Sequence, residues 1–436
     1  MNNNPTYQQP LCSPCATCDE SNTTTTRKQD ENETKTTAND AVRCVPQLRF
    51  PEFQNEGDWE DIIVEDAIKT ITPSKKLQSK EFKTKGKFPI IDQSQVYICG
   101  YSDDETAILN KDLQEVIIFG DHTCILKLVD FPFIQGADGI KIFRSKNKKR
   151  LDTKFLYYIL QHFHIEPIAY KRHFGDLRSK KIYYPNSIIE QQKIAACLQT
   201  IDDEIATTTQ KLEQLKTHKK ALLQKLFPQR GKTTPELRFP EFQNGGKWET
   251  RNLGEVTTIV NKRNRSNRSL PIYSISNKDG FLLQTEQFDG LDSVKRGYDI
   301  SMYKIVGKNT FAYNPARINV GSIGYSNNLK EVLISSLYVC FKTTEEVDDS
   351  FLKCYFDTLD FRQSVESNVE GGIRSYLFYE NFSRIKIQLP SIQEQKQIAS
   401  TLMSINALIE IVENKIALLE EHKKGLLQRL FPSLNK

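Results

Sequence analysis

No run of about 18 consecutive apolar residues occurs in the 436-residue chain, so a membrane-spanning helix is not expected. No apolar core segment follows a basic start, so a secretory leader is not expected either. The phosphate-cradling pattern GxxxxGK[ST] is absent, as is a glycine-rich turn between a strand and a helix that would seat a methyl donor. An adenine methyltransferase needs an Asn/Asp-Pro-Pro-aromatic loop to hold an extruded base. The nearest segment, Tyr313-Asn314-Pro315-Ala316, lacks the second proline and the aromatic ring. No carboxylate cluster suggests a nuclease. These absences argue against a self-contained nucleotidase, methyltransferase or nuclease, and no cofactor is expected in this chain.

Paired cysteine spacing is also lacking. Of nine cysteines, Cys99, Cys124, Cys197, Cys340 and Cys354 are scattered through apolar stretches and read as small core residues. Cys12, Cys15 and Cys18 cluster near the start, but a structural zinc site wants four ligands, usually in two spaced pairs, and only distant Cys44 could complete this one. No metal is expected, and the cysteine usage favours the reducing cytoplasm.

Residues 1–44 are poor in large apolar side chains and rich in Asn, Thr and Gln, and are expected to form a disordered N-terminal tail. They hold four Lys/Arg and six Asp/Glu, so the chain's net charge of +5 becomes +7 without them. A modestly basic body is compatible with a polyanionic partner.

What the chain has is a duplication. PQLRFPEFQNEGDW (46–59) returns as PELRFPEFQNGGKW (235–248), with 11 of 14 positions identical at an offset of 189. The block from Ser187 to Pro228 returns from Ser391 to Pro432, with 20 of 42 positions matching at an offset of 204. The intervening segments match poorly. The unit is far longer than a solenoid repeat, so it is a duplicated domain. The boundaries that follow are a first globular domain over 45–185, a helix over 186–228, a linker and second domain over 229–389, and a second helix over 390–432.

Each helical block carries a ladder with alternating steps of four and three. The first is Ile194, Leu198, Ile201, Ile205, Thr208, Leu212, Leu215, Lys219, Leu222 and Leu226; the second is Ile398, Leu402, Ile405, Ile409, Val412, Ile416, Leu419, Lys423, Leu426 and Leu430. This spacing is the narrow seam of a coiled coil. Phe227-Pro228 and Phe431-Pro432 stop the helices. Two matching seams in one chain predict an antiparallel pair, a rod with a globular domain at either end, with Lys219 and Lys423 near its ends.

The variable segments 60–185 and 249–389 read as mixed α/β (α+β) with many short strands, including 115–121, 123–131, 303–308 and 332–341. Each ends in a helical stretch, Thr153–His162 and Asp349–Val365. Basic and aromatic residues interleave in their loops. Arg144, Lys146, Lys148, His173 and Arg178 in the first domain, and Arg317, Arg374 and Ser375 in the second, are the candidates for contact with double-stranded DNA. Lys and Arg neutralise phosphate, while a few Arg, Asn, Gln or Ser side chains read base edges. Two readers at a fixed separation would contact a split site.

The FPEF…W opener, the LPSIQEQKQIA helix start and the HKKGLLQRLFP ending together resemble the specificity subunit of type I restriction-modification systems, over about residues 45–436. Segments 119–143 and 272–289, 313–324 and 371–390 are similar to two different recognition-domain types. The resemblance implies two target recognition domains, each reading half of a bipartite, asymmetric DNA site. It implies that the antiparallel helices set the spacing and dock two methyltransferase subunits, through which restriction/translocase subunits join. It implies a non-catalytic chain, with S-adenosylmethionine, ATP and Mg used by the partners. Two departures stand out: the Cys/Thr-rich tail lies outside the family pattern, and the first helix has one more residue between its Pro and Glu-Gln than the second.

Overall fold

The computed structural model describes residues 45–432, apart from 113, 138, 164, 169–170 and 371–375. The expectations for Cys12, Cys15, Cys18 and Cys44, for the disordered tail, and for Arg374 and Ser375 lie outside the described residues.

Both helical blocks fold as single helices, Ile188–Leu226 and Ile392–Leu430, of 39 residues each. At ~1.5 Å per residue each is roughly 58 Å long. Ser187 and Ser391 are the N-caps, and their hydroxyls accept from the backbone N–H of Glu190 and Glu394. The extra residue before the first helix, Asn186, is absorbed ahead of the cap, so both helices start in the same way. The ladder residues face inward: Ile194, Leu198 and Leu212 of the first helix and Ile398, Leu402 and Ile405 of the second are buried. Ile201, Ile205 and Leu215, and Ile409, Ile416 and Leu419, are half-buried. Ion pairs between the helices run Lys423–Asp202 (2.6 Å), Lys415–Glu204 (2.5 Å) and Lys216–Glu413 (2.9 Å). Low numbers on one helix meet high numbers on the other, so the pair is antiparallel. Lys219 and Lys423 find carboxylates at the ends of the seam, Asp357 at 3.5 Å and Asp202, and the Lys423 ammonium lies over the Tyr158 ring, 5.6 Å from its centroid.

Each domain has ten strands among the described residues. In the first they are β1 (Glu60–Ile63), β2 (Ile68–Ile71), β3 (Phe88–Ile91), β4 (Gly100–Ser102), β5 (Ile108–Leu109), β6 (Val116–Gly120), β7 (Leu126–Val129), β8 (Phe133–Gln135), β9 (Ile140–Ser145) and β10 (Lys181–Tyr184). In the second they are β11 (Glu249–Asn252), β12 (Thr257–Ile259), β13 (Ile272–Ser276), β14 (Gly280–Leu283), β15 (Lys304–Val306), β16 (Phe311–Tyr313), β17 (Ile323–Tyr325), β18 (Val332–Ile334), β19 (Val339–Thr343) and β20 (Lys386–Leu389). The first domain pairs β1 with β10 and builds two sheets, β2-β9-β6-β7 and β4-β3-β8-β5. The second pairs β11 with β20 and builds β12-β19-β16-β17 and β14-β13-β18-β15. Strand for strand the order is the same, including one parallel pair in each, β3 with β8 and β13 with β18. Segments that scarcely match in sequence therefore share one topology.

Alternation along the central strands explains the layering. Ile117, Phe119 and Phe143 pack toward the helix Thr153–His162, while Val116, Ile118 and Ile142 pack toward the neighbouring sheet. In the second domain Phe311, Tyr313 and Phe341 face one core, and Ala312 and Cys340 the other. Cys340 and Cys354 are core residues, and burial pushes both thiols up to about 12. Two elements are shorter than the sequence suggests. The run 332–341 breaks into β18 and β19 at a turn where Tyr338 N–H donates to the Ser335 carbonyl. Asp349–Val365 is two helices, Asp349–Phe356 and Leu359–Asn368, because the Thr358 hydroxyl donates to the Tyr355 carbonyl and caps the next helix at Phe361 N–H.

The repeated opener fastens the parts together. Arg49 donates to both Glu190 oxygens at 2.7 and 2.8 Å, and Arg238 to both Glu394 oxygens at 2.7 Å. The neighbouring glutamines, Gln191 and Gln395, are buried and bind the backbone of Asp152 and Asp348, where the domain helices begin. Each opener's tryptophan meets the Phe-Pro stop of the other long helix: Trp59 lies 6.4 Å from the Phe431 ring, and Trp248 lies 6.3 Å from Phe227. Leu48 N–H donates to the Arg429 carbonyl, as Leu237 N–H does to Lys225. The first domain is thus clamped between the start of the first long helix and the end of the second, and the second domain between the opposite ends.

Candidate nucleic-acid interface

The shared topology brings three loops together in each domain. In the first domain they are the β3–β4 turn (92–99), the β6–β7 turn (121–125) and the segment entering the helix Phe174–Arg178. Thr123 Oγ1 donates to the Gln93 carbonyl at 2.7 Å, and the His122 ring lies 3.0 Å from the Lys171 carbonyl. His173 N–H donates to the Asp121 carbonyl at 2.8 Å. Beneath them Lys127 is buried, and its ammonium donates to the carbonyls of Asp92 and Val96. Burial lowers its pKa, and the carbonyls hold it in place as a brace for the turn.

In the second domain the corresponding loops are the β13–β14 turn (277–279), the β16–β17 loop (314–322) and the segment entering the helix Tyr379–Ser383. Ser322 Oγ donates to the Ile275 carbonyl at 3.0 Å, and Leu377 N–H donates to the Pro315 carbonyl at 3.1 Å. The strands that follow the first two loops meet through glycines. Gly280 has φ +66°, and a Cβ there would stand 3.2 Å from the Gly324 Cα, so only glycine allows that approach. Glu370 and Tyr376 exchange two backbone hydrogen bonds, so the chain leaves and rejoins the third loop at one point.

The sequence candidates are distributed unevenly over these clusters. Arg317 is exposed in the β16–β17 loop and makes no side-chain bond among the described residues. Arg144, Lys146 and Lys148 sit at the far end of β9, away from the first domain's three loops, since Ile140 rather than Ser145 pairs with Gly120. Arg144 bonds Gln114 (2.6 Å) and Asp112 (3.3 Å), Lys148 pairs with Glu115 at 3.4 Å, and Lys146 is exposed. Arg178 pairs with Glu65. His173 is only 1% exposed: Ile168 N–H donates to its Nε2, and its Nδ1 meets Asp176 at 3.0 Å. Its ring shapes the loop instead of facing outward. Lys171 and His173 together hold the Asp176 carboxyl below its usual range. Tyr313, just ahead of the loop that carries Arg317, is fully buried. Lys141 lies over the Phe174 ring at the near end of β9 and is the strand's basic residue closest to the loops. Among the described residues no group of three His, Cys, Asp or Glu could hold a metal, and no helix is long and apolar enough to cross a membrane.

Sequence reasoning missed the Arg49–Glu190–Gln191 and Arg238–Glu394–Gln395 fasteners. The signal was available, because all three residue types recur in both repeats.

A family model described as the type I restriction modification DNA specificity domain matches residues 56–217 and 245–421. The chain belongs to this family. Each match spans a domain together with most of its long helix. Specificity subunits of type I systems are non-catalytic. Among curated relatives, the type I restriction enzyme MjaVIII specificity subunit of Methanocaldococcus jannaschii is 25% identical over 419 residues, covering 88% of this chain and 93% of its own. The putative MjaX specificity subunit of the same organism is 25% identical over 300 residues, covering 65% and 68%. The crystal structure of a type I restriction-modification S subunit from M. genitalium covers 90% of this chain and 100% of its own, with a TM-score of 0.60 at 17% identity, which shows a common fold.

Proposed function

We propose that this specificity chain reads a bipartite, asymmetric sequence in double-stranded DNA, one half with each domain. The observation that carries the reading is the pair of equivalent three-loop clusters on one topology, held at a separation set by the antiparallel helices and lined by different residues. Equal scaffolds with unequal loops fit two half-sites of different sequence, as two rigid readers on a spacer would require.

The long helices fix the spacing and dock two methyltransferase subunits, through which restriction/translocase subunits join. Those partners supply adenine methylation with S-adenosylmethionine and DNA cleavage with ATP and Mg. The assembly works in the cytoplasm. Arg317, Arg374 and Ser375 contact the half-site of the second domain; in the first, Arg178 of the helix that follows the third loop provides a phosphate contact. The test is to select a target from random duplexes with the chain and its methyltransferase partner, then measure Arg317→Ala on that target and on unrelated DNA. A loss of about tenfold or more confined to the target supports base reading. Equal loss on both assigns Arg317 to phosphate, and no selected motif overturns the reading.

A further inference from the structure

Exposed Phe378 stacks on half-buried Tyr376 beside the loop that carries Arg317. Their rings are stacked, with centroids 5.7 Å apart and planes 6° from parallel. Phe378 is 52% exposed, an unusual position for so large an apolar side chain. The pair is held rigidly. Leu377, between the two rings, is fully buried in the domain core, and its N–H donates to Pro315 in the Arg317 loop. Phe378 is the N-cap residue of the helix Tyr379–Ser383, whose Phe382 is also fully buried.

The first domain makes the comparison. Its equivalent helix starts at Phe174, and the residues at the same place are Lys171, Arg172 and His173. The place of exposed Phe378 is thus taken in the first domain by buried His173, with exposed Lys171 and Arg172 before it, so only the second domain presents an apolar ring there.

Resting on the DNA-reading function proposed above, we infer that Tyr376 and Phe378 are specificity-determining residues that wedge against a base step in the second half-site. The outer ring face stacks on an unstacked base beside the contact that Arg317 makes with the same half-site. Aromatic stacking tolerates any base identity, but opening a step is cheapest at flexible pyrimidine–purine steps. The second half-site is then read partly through the deformability of one step.

The experiment uses the full-length chain with its methyltransferase partner and a duplex carrying the selected target, with 2-aminopurine placed at each adenine of the second half-site in turn. The wild type is expected to raise fluorescence at one step other than the adenine that the methyltransferase extrudes. Phe378→Ala should abolish that rise and weaken target binding by about tenfold to a hundredfold, with little change on unrelated DNA. Phe378→Trp should retain both. Since Phe378 is exposed, the alanine variant is expected to keep the wild-type circular dichroism and melting temperature. Target binding within twofold of wild type by Phe378→Ala and Tyr376→Ala, or an unchanged fluorescence rise, overturns the wedge while leaving the DNA-reading function in place. Failure of the wild type to select any target overturns that function and the wedge with it.

Discussion

Replacing Arg49 with Met strands the Glu190 carboxylate, which has no exposed surface, at the root of the first long helix. Four hydrogen bonds leave with the guanidinium, two to Glu190 and one each to the carbonyls of Glu56 and Gly57. Removing one partner of a buried pair costs about 3–5 kcal/mol, because the remaining charge stays in a low-dielectric site. Replacing Glu190 with Leu in the same chain removes the stranded charge, so the Arg49→Met/Glu190→Leu double variant should recover most of that loss. Urea unfolding of the wild type, both single variants and the double variant gives the coupling energy directly. The reasoning is refuted if Arg49→Met lies within about 1 kcal/mol of wild type, below the range for a broken buried pair. It is equally refuted if the double variant is as unstable as the two single losses added.

Two further outcomes follow from the seam and the second domain. Leu402 is buried where the second long helix meets the end of the first. Leu402→Pro removes a backbone donor and costs about 3 kcal/mol or more; copurification of the methyltransferase should fail, and an intact complex would contradict this. Burial raises the pKa of Asp360, whose carboxylate accepts from the Tyr355 hydroxyl at 3.4 Å. A raised folded-state pKa means that the fold binds the proton more tightly than the unfolded chain does. Its contribution is therefore fully present below the ordinary Asp range and is lost as pH rises through the raised value. Asp360→Asn, which cannot ionise, should melt higher than wild type at pH 7 and converge with it in acid. An advantage that grows on acidification would contradict the burial argument.

The long helices were legible in the sequence because a four-three seam is a property of spacing alone, and two copies of it in one chain leave antiparallel pairing as the simplest arrangement. The equivalence of the two domains was not legible. Their strands are two to six residues long, and in so short a strand the buried positions tolerate many apolar residues, so Phe311 stands where the first domain has a different side chain. The basic runs were visible but not their orientation. His173 sits in a run of cations yet turns its ring inward, and Arg144 lies at the wrong end of β9 to join the loops. Tyr376 and Phe378 were invisible as a pair, since only the fold shows that they stack on one another, with Phe378 exposed and Leu377 between them buried.

Central to the proposed function is that two different readers share a single spacer. Its most direct test is to co-express the chain with its methyltransferase subunit and map methylated adenines across the host genome. A single asymmetric motif in two parts, separated by a fixed gap of unread bases, is the predicted result. No methylation, or methylation at a short continuous site, would contradict it.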